Sequence, residues 1–346
     1  METNVLIIAI SLILIVLLFE FVNGFNDFAN MAVTPVITGA MEPKEAILII
    51  SFFEFIGAWF LGTAVAQTIG KGIVDPQNVS IVVIFAALFG TIIWNLASWY
   101  LGMPFSASHS LIGGLLGAIV MSAGPDGIYW RKVGEILILL ILTPAFGLFI
   151  GHYLTRRLLL LFSDLKPSKA KTLFRRLQTV TSVTLAMSYG SNDAQKGMSI
   201  ISLSLLILYR ISPEMMGKIY QPMPNNAFYI PKWVIAVCSL ALALGSSIGG
   251  WRIMKTLGTR LFKLRPIHGF SAQACSSAII SLSSVLGFPV STTQIVSSSI
   301  MGAGSARTLG SVRWEVGKHI LLTWVITIPG SAVLSALFFT LTKRWI

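Results

Sequence analysis

The chain has 346 residues, of which 55% are hydrophobic and only 11% charged, and its formal net charge is +12. Its mean hydropathy is +0.80. Soluble domains carry about a quarter charged residues, so this composition excludes a water-soluble globular protein. The positive charge does not indicate nucleic-acid binding, because the Lys and Arg residues gather in short segments between apolar runs. We expect a multi-pass membrane protein without a nucleic-acid partner.

Long apolar runs recur along the chain, and each is close to the roughly 20 residues that a helix needs to cross a bilayer. The sequence therefore predicts an all-α polytopic protein embedded in the lipid bilayer, with spans at 5–19, 46–70, 79–101, 133–151, 233–250 and 316–342. Two segments between these runs are strongly basic, 156–178 and 252–265. By the positive-inside rule we expect both on the cytoplasmic side.

Two motifs occur twice and in the same order. GFNDFAN at 24–30 is matched by GSNDAQK at 190–196, and LGMPFSASH at 101–109 is matched by LGFPVSTTQ at 286–294. Each motif alone is weak, but two matched pairs in one order are hard to obtain by chance. Since many transporters consist of two related halves, the sequence indicates an internal repeat.

The repeat divides the chain into three parts. We expect a first transmembrane repeat over 1–155, a basic cytoplasmic linker over 156–178 and a second transmembrane repeat over 179–346. The linker is expected to be a loop, with or without a short amphipathic helix. The halves are expected to be inverted, although a count of four crossings in the first half would make them parallel.

The G-x-N-D motifs lie inside otherwise apolar sequence. Gly, Asn and Asp favour turns and caps over helix interiors, so the motifs predict broken helices beside a cavity. An Asp in the hydrocarbon costs about 3 kcal/mol, which makes Asp27 and Asp193 candidates for a functional site. The alternative is that each Asp only caps a half-helix.

The Pro-x-Ser-x-[Ser/Thr] motifs predict two re-entrant hairpins, over 104–124 and 289–304. Helix N-termini at such tips bind anions through free N–H groups and the helix dipole. Hydroxyl groups would add donors, from Ser106, Ser108, Ser291, Thr292 and Thr293. The alternative explanation of the small residues is close packing between helices.

Two carboxylates would repel an oxyanion in a low-dielectric pocket. Either they bind protons, or they join amide oxygens around a hard cation such as Na⁺. Both routes make anion binding depend on a cation, and this dependence is symport. The candidates for this coupling role are Asp27, Asp193, Asn26, Asn192 and Glu54. Glu54 could instead be a structural hydrogen-bonding residue, and for Glu20 we expect only a structural role.

The stretch NGFNDFANMAVTPVITGA resembles the first signature of the PiT inorganic phosphate transporter family, and SYGSNDAQKGMSI resembles the second. The P-x-S-T-T segment is similar to the family's hairpins, and the similarity extends over residues 5 to 342. The resemblance implies an inverted-repeat secondary active transporter in the cell inner (plasma) membrane. It would carry inorganic phosphate together with a monovalent cation, Na⁺ or H⁺, without a cofactor and without enzymatic activity. Homodimers are a further expectation from the family.

The resemblance also implies which residues form the ion and phosphate site. They are Asn26, Asp27, Asn30, Asn192, Asp193 and Gln195, with Ser106, Ser108, Ser291, Thr292 and Thr293. Tyr189 and Gln294 stand where the family often has His, which argues against a His-dependent proton route. The open alternatives are a sulfate or other oxyanion permease of the same fold, an anion channel, and an intramembrane aspartyl protease.

Overall fold

Helices form almost the whole of the described chain. The structure is a computed structural model that describes residues 2–72, 80–222 and 228–342. Those ranges contain thirteen α-helices and no strand: α1 (Glu2–Ile37), α2 (Pro43–Phe60), α3 (Ala64–Gly72), α4 (Ile81–Tyr100), α5 (Ala107–Ala123), α6 (Trp130–Leu161), α7 (Pro167–Ile211), α8 (Pro213–Met216), α9 (Lys232–Ile248), α10 (Trp251–Lys255), α11 (Pro266–Val285), α12 (Thr292–Ser305) and α13 (Trp314–Thr342).

Several of these helices are suited to cross a membrane. Four of the described helices, α1, α4, α6 and α13, are long and apolar enough to do so by themselves. Two further spans can form from bent pairs, α2 with α3 at 68° and α9 with α10 at 59°. The all-α membrane architecture predicted from the sequence is confirmed. Broken helices are present too, at these two bends.

The same order of elements appears in both halves. A long helix, a bent pair, a hairpin of two helices and a second long helix run from α1 to α6, and again from α7 to α13, where the short α8 is additional. The segments 104–124 and 289–304, each predicted as a hairpin, form a single helix each, α5 and α12, and each hairpin includes the preceding helix, α4 or α11. Helices of one half also pack on helices of the other half: α5 packs on α13, and α12 packs on α6. This reciprocal packing agrees with an internal repeat. The repeat boundaries and the inversion stay predictions, because packing alone does not fix the orientation of each half in a membrane.

The predicted helix breaks at the two G-x-N-D motifs are wrong. Both motifs lie inside continuous helices, the first in the 36-residue α1 and the second in the 45-residue α7. The physical reason is close packing of backbones. A Cβ on Gly24 would meet the carbonyl oxygen of Leu242, and a Cβ on Gly190 would meet that of Glu54. These glycines let helices touch, and tertiary packing overrides their turn propensity.

The glycine contacts are reciprocal. Gly245 on α9 packs in the same way against the carbonyl of Phe21 on α1, and Gly57 on α2 packs against Met187 on α7. At each of the two crossings, α1 with α9 and α2 with α7, each helix therefore contributes one glycine that packs on the backbone of the other helix. Small residues at such crossings let membrane helices approach closely, which is a main source of their association.

The basic segment 156–178 is helical over most of its length. Residues up to Leu161 belong to α6, residues from Pro167 onward belong to α7, and only 162–166 form a loop. Its apolar residues explain the difference: Phe174 on α7 is buried and packs edge to face on Phe162. At 1.5 Å per residue α7 is about 68 Å long, so it can extend well beyond the hydrocarbon. The other basic segment, 252–265, forms part of α10, a π-helical turn at Thr256–Arg260 and a loop.

We predict that Gly190→Ala destabilises the protein although Ala is the better helix former. The added Cβ would meet backbone atoms of α2, so the two helices must separate, at a cost of about 1–3 kcal/mol. The measurement is the melting temperature of the detergent-purified protein. Gly134→Ala on α6 is the control, because nothing lies within 4 Å of its Cβ position. If the melting temperature of Gly190→Ala were equal to or higher than that of the unchanged protein, this explanation of the α2/α7 crossing would be wrong.

Candidate functional site

Asp193 is held by an ion pair and a hydroxyl group. Its Oδ1 accepts a hydrogen bond from the ammonium group of Lys196, one helical turn further along α7. Its Oδ2 accepts from the hydroxyl of Thr292, at the N-terminus of α12, at 2.8 Å. Asp193 and Lys196 are both buried. Both carboxylate oxygens of Asp193 therefore have donors.

Within the described chain, Asp27 accepts a hydrogen bond only from a neutral group. Its Oδ1 accepts from the Thr293 hydroxyl at 3.4 Å, and the same hydroxyl accepts from the side-chain amide of Asn30 at 3.0 Å. The other oxygen, Oδ2, has no hydrogen-bond partner among the described residues. The first motif thus leaves one carboxylate oxygen open.

The two aspartates belong to one site. Thr292 and Thr293 are adjacent residues, and each donates to a different aspartate. The tip of one hairpin therefore contacts both G-x-N-D motifs, and the charges of Asp27 and Asp193 act on each other. The sequence prediction that the repeated motifs meet is supported by these contacts.

Two more carboxylates lie close to the aspartates. Glu54 on α2 is within electrostatic range of Asp27 and Asp193, and the Ser246 hydroxyl lies beside it. That hydroxyl donates to the carbonyl of Gly24 at 2.9 Å, so both Glu54 oxygens are left without a donor among the described residues. Glu20 on α1 accepts from the backbone N–H of Gly197 at 2.6 Å and lies within range of Lys196. Sequence reasoning gave Glu20 only a structural role, although its position seven residues before Asp27 placed it on the same helix face.

The two hairpin tips touch each other. The Ser108 hydroxyl donates to the carbonyl of Val290 at 2.8 Å, and the Gln294 amide lies 3.4 Å from both ring nitrogens of His109. Ser106 and Ser291 cap α5 and α12, because their hydroxyl oxygens accept from backbone N–H groups three residues on. The two helix N-termini meet, and the first N–H groups of a helix have no partner within it.

The remaining predicted residues divide into two groups. Asn26 and Asn192 hold structural hydrogen bonds through their amide nitrogens, and the side-chain oxygen of each has no partner among the described residues. The side-chain oxygen of Gln195 accepts from the backbone N–H of Ala66 at 2.9 Å, near the N-terminus of α3, and its amide nitrogen donates to the carbonyl of Ser191. The role of Gln195 in the site stays a prediction.

Tyr189 and Lys196 were not placed in the predicted site. The ring of Tyr189 is fully buried, and its hydroxyl lies next to Thr292 within electrostatic range of both aspartates. Lys196 was recognisable as the cation inside a motif, but its direct pairing with Asp193 was not expected. The signal was available, since residues three apart on a helix are neighbours.

Oxygen atoms without donors concentrate at this site. Besides those of Glu54 they include Glu20 Oε2, Asn26 Oδ1, Asp27 Oδ2, Asn30 Oδ1, Asn192 Oδ1 and Gln294 Oε1. Unpaired buried oxygens are costly, and oxygen ligands of this kind suit hard cations. No group of three or more His, Cys, Asp or Glu at metal-binding spacing occurs in the described part of the chain. A bound cation would therefore depend on amide oxygens as much as on carboxylates.

The helical membrane fold and a closed polar site of acidic, amide and hydroxyl groups define an integral membrane transporter. The family model described as the phosphate transporter family matches residues 23–167 and 162–335. The chain belongs to this family, and it is a phosphate transporter, not an enzyme. Probable low-affinity inorganic phosphate transporters of Bacillus subtilis (strain 168) and Rhizobium meliloti (strain 1021) are 40% and 38% identical. These alignments cover 96% and 95% of this chain, and 97% and 95% of the relatives.

A solved structure described as the sodium-dependent phosphate transporter has the same fold. The TM-score is 0.85 at 25% sequence identity, and the match covers 99% of this chain and 100% of the other. The resemblance to the PiT family inferred from the motifs is confirmed by these comparisons.

We predict that Thr293→Val lowers the affinity for phosphate by about tenfold or more. Valine has the shape of threonine without the hydroxyl, and a hydrogen bond to a charged group contributes roughly 1.5–3 kcal/mol. The measurement is equilibrium binding of radiolabelled phosphate to the purified protein. Thr293→Ser, which keeps the hydroxyl, should bind nearly as well as the unchanged protein. If the Val and Ser variants bound equally, the hydroxyl would have no part in anion binding.

Proposed function

We propose that this protein is a symporter that carries inorganic phosphate across the plasma membrane together with Na⁺ or H⁺. The observation that carries the proposal is the pair of threonine hydroxyls at the tip of α12, each donating to a buried aspartate. A hydroxyl has a single proton to donate. While Thr292 and Thr293 donate to carboxylates, they cannot donate to an oxyanion.

A bound cation changes which group accepts the proton of the Thr293 hydroxyl. When a proton or Na⁺ neutralises Asp27, the carboxylate attracts the Thr293 proton less strongly, and the hydroxyl can turn toward an anion. The same cation reduces the repulsion between the carboxylate and phosphate, which is strong in a buried pocket. Phosphate and cation thus bind better together than apart, and this mutual dependence is thermodynamically reciprocal.

The proposed phosphate ligands lie around the meeting point of the hairpins. They are the hydroxyls and amides of Asn26, Asn30, Ser106, Ser108, Asn192, Gln195, Ser291, Thr292 and Thr293, together with the N-termini of α5 and α12. The coupling residues are Asp27, Asp193, Asn26, Asn192 and Glu54, of which Glu54 and Asp27 have open carboxylate oxygens. The buried state of Asp27 and Asp193, 2% and 0% exposed, agrees with a conformation closed to solvent. Assembly into homodimers stays a prediction.

The transport proposal is tested in proteoliposomes with the purified protein. Radiolabelled phosphate uptake is measured with Na⁺ and pH gradients imposed separately and with sulfate as competitor. We expect uptake to follow one of the two gradients and to resist sulfate. Uptake that persists without any cation gradient would indicate a channel instead, and equal inhibition by sulfate and phosphate would indicate a broader oxyanion permease.

We predict that Asp27→Asn abolishes cation-driven accumulation of phosphate. The substitution keeps the size of the side chain and removes the negative charge that the cation neutralises. The measurement is the ratio of internal to external phosphate at steady state, which should fall to that of passive exchange. Asp164→Asn, in the loop between α6 and α7, is the matched control and should accumulate phosphate normally. Full accumulation by the Asp27→Asn variant would remove Asp27 from the coupling mechanism.

A further inference from the structure

The two halves of the site differ at one matched position. Three residues after the motif aspartate, the first half has Asn30 and the second half has Lys196. Asn30 donates to the Thr293 hydroxyl, whereas Lys196 donates directly to the carboxylate of Asp193. Asp193 therefore forms an ion pair with a lysine of its own helix, whereas the hydrogen-bond partner of Asp27 is neutral.

Lys196 is buried, which is unusual for a lysine. It is the only Lys or Arg that is buried among residues whose burial the structure describes. Its charge also acts on Asp27, Glu20 and His109, so it lies near acidic groups of α1 as well as Asp193 on its own helix. A buried ammonium group is costly unless it is paired. Its retention in the site therefore points to an electrostatic role.

We propose that Lys196 is a built-in cation, which occupies at Asp193 the place that an exchangeable cation occupies at Asp27. This inference rests on the proposed cation-coupled transport and adds the number and location of the coupling ions. Asp193 is neutralised throughout the transport cycle by a group that never leaves the protein. Only the first half of the site, with Asp27 and Glu54, exchanges its cation with solution.

The pattern of open oxygens supports this asymmetry. Both oxygens of Asp193 have donors, one from Lys196 and one from Thr292. Asp27 Oδ2 and both oxygens of Glu54 have no partner among the described residues. The carboxylate oxygens open to an incoming cation thus belong to α1 and α2. At Asp193 on α7, the ammonium group of Lys196 already contacts the carboxylate.

The built-in cation has a consequence for the coupling ratio. A chain with two open aspartates would need a cation at each before a divalent anion could bind between them. With Lys196 in place, one of these cations is permanently present. The protein would then carry one cation fewer per phosphate than the same site with a neutral residue at position 196.

The test uses Lys196→Asn, which gives the second half the residue that the first half has at Asn30. We expect phosphate binding to require one additional cation, so that the slope of log Kd against log cation concentration, for Na⁺ or H⁺, becomes steeper by about one. In proteoliposomes the charge carried per phosphate should rise by about one, measured from the membrane potential at which net phosphate flux is zero. Lys169→Asn, on the exposed part of α7, is the control and should change neither value.

A double variant separates the role of Lys196 in charge balance from direct contact with phosphate. Asp193→Asn combined with Lys196→Asn removes the pair as a neutral unit, and both the slope and the charge per phosphate should return to the original values. If Lys196→Asn alone does not fold, Lys196→Gln, which also removes the charge, provides the same readout. An unchanged slope in a folded single variant would overturn the proposal. So would a double variant that fails to bind phosphate at saturating cation, because the pair would then be needed for more than charge balance.

The two proposals fail in different ways. If the unchanged protein binds and accumulates phosphate without any dependence on Na⁺ or H⁺, the symport proposal itself is wrong. If the unchanged protein depends on a cation and Lys196→Asn shows the same dependence, symport stands and only the built-in cation is wrong.

Discussion

The proposed site depends on buried carboxylates that lie near a single buried ammonium group. Asp27, Asp193, Glu20 and Glu54 are all removed from solvent, and Lys196 pairs with Asp193 and acts on Asp27 and Glu20. Charges interact strongly where water is excluded, so we expect this arrangement to bind a further anion only with added positive charge. The proposed requirement for a cation thus follows from the residues that line the site.

The scaffold brings these groups together by contacts between backbones. Glycines fasten α1 to α9 and α2 to α7, so the two motif helices pass through the molecule without interruption. The N-terminus of α12 then reaches the aspartates of both motifs, and the N-terminus of α5 meets it from the other hairpin. A straight helix fixes the direction of each aspartate more firmly than an unwound segment would. The adaptable parts of the site are the hydroxyls at the hairpin tips, which can rotate without moving the backbone.

The membrane class, the helical fold and the pairing of the motifs could all be predicted from the sequence, because they depend on composition and on repeated residues. The helix breaks could not, since the propensity of Gly, Asn and Asp for turns is weaker than the packing that Gly24 and Gly190 permit. The contact of Gln195 could not be predicted either. It accepts from the backbone N–H of Ala66, which belongs to a bend that hydropathy does not locate, and its role in the site stays a prediction. The contact of Glu20 with the backbone N–H of Gly197 joins two helices that are distant in sequence, so the residue pattern alone does not predict it.

The difference between Asn30 and Lys196 shows how one residue of a repeated motif can change the charge of a site. Both residues lie one helical turn beyond an aspartate, but Asn30 donates to the Thr293 hydroxyl, whereas Lys196 donates to the carboxylate of Asp193 itself. A neutral amide there leaves the aspartate dependent on a cation from solution, whereas an ammonium group satisfies it permanently. Because each aspartate also accepts from a threonine hydroxyl at the N-terminus of α12, the residue at this one position can set how many ions accompany each phosphate.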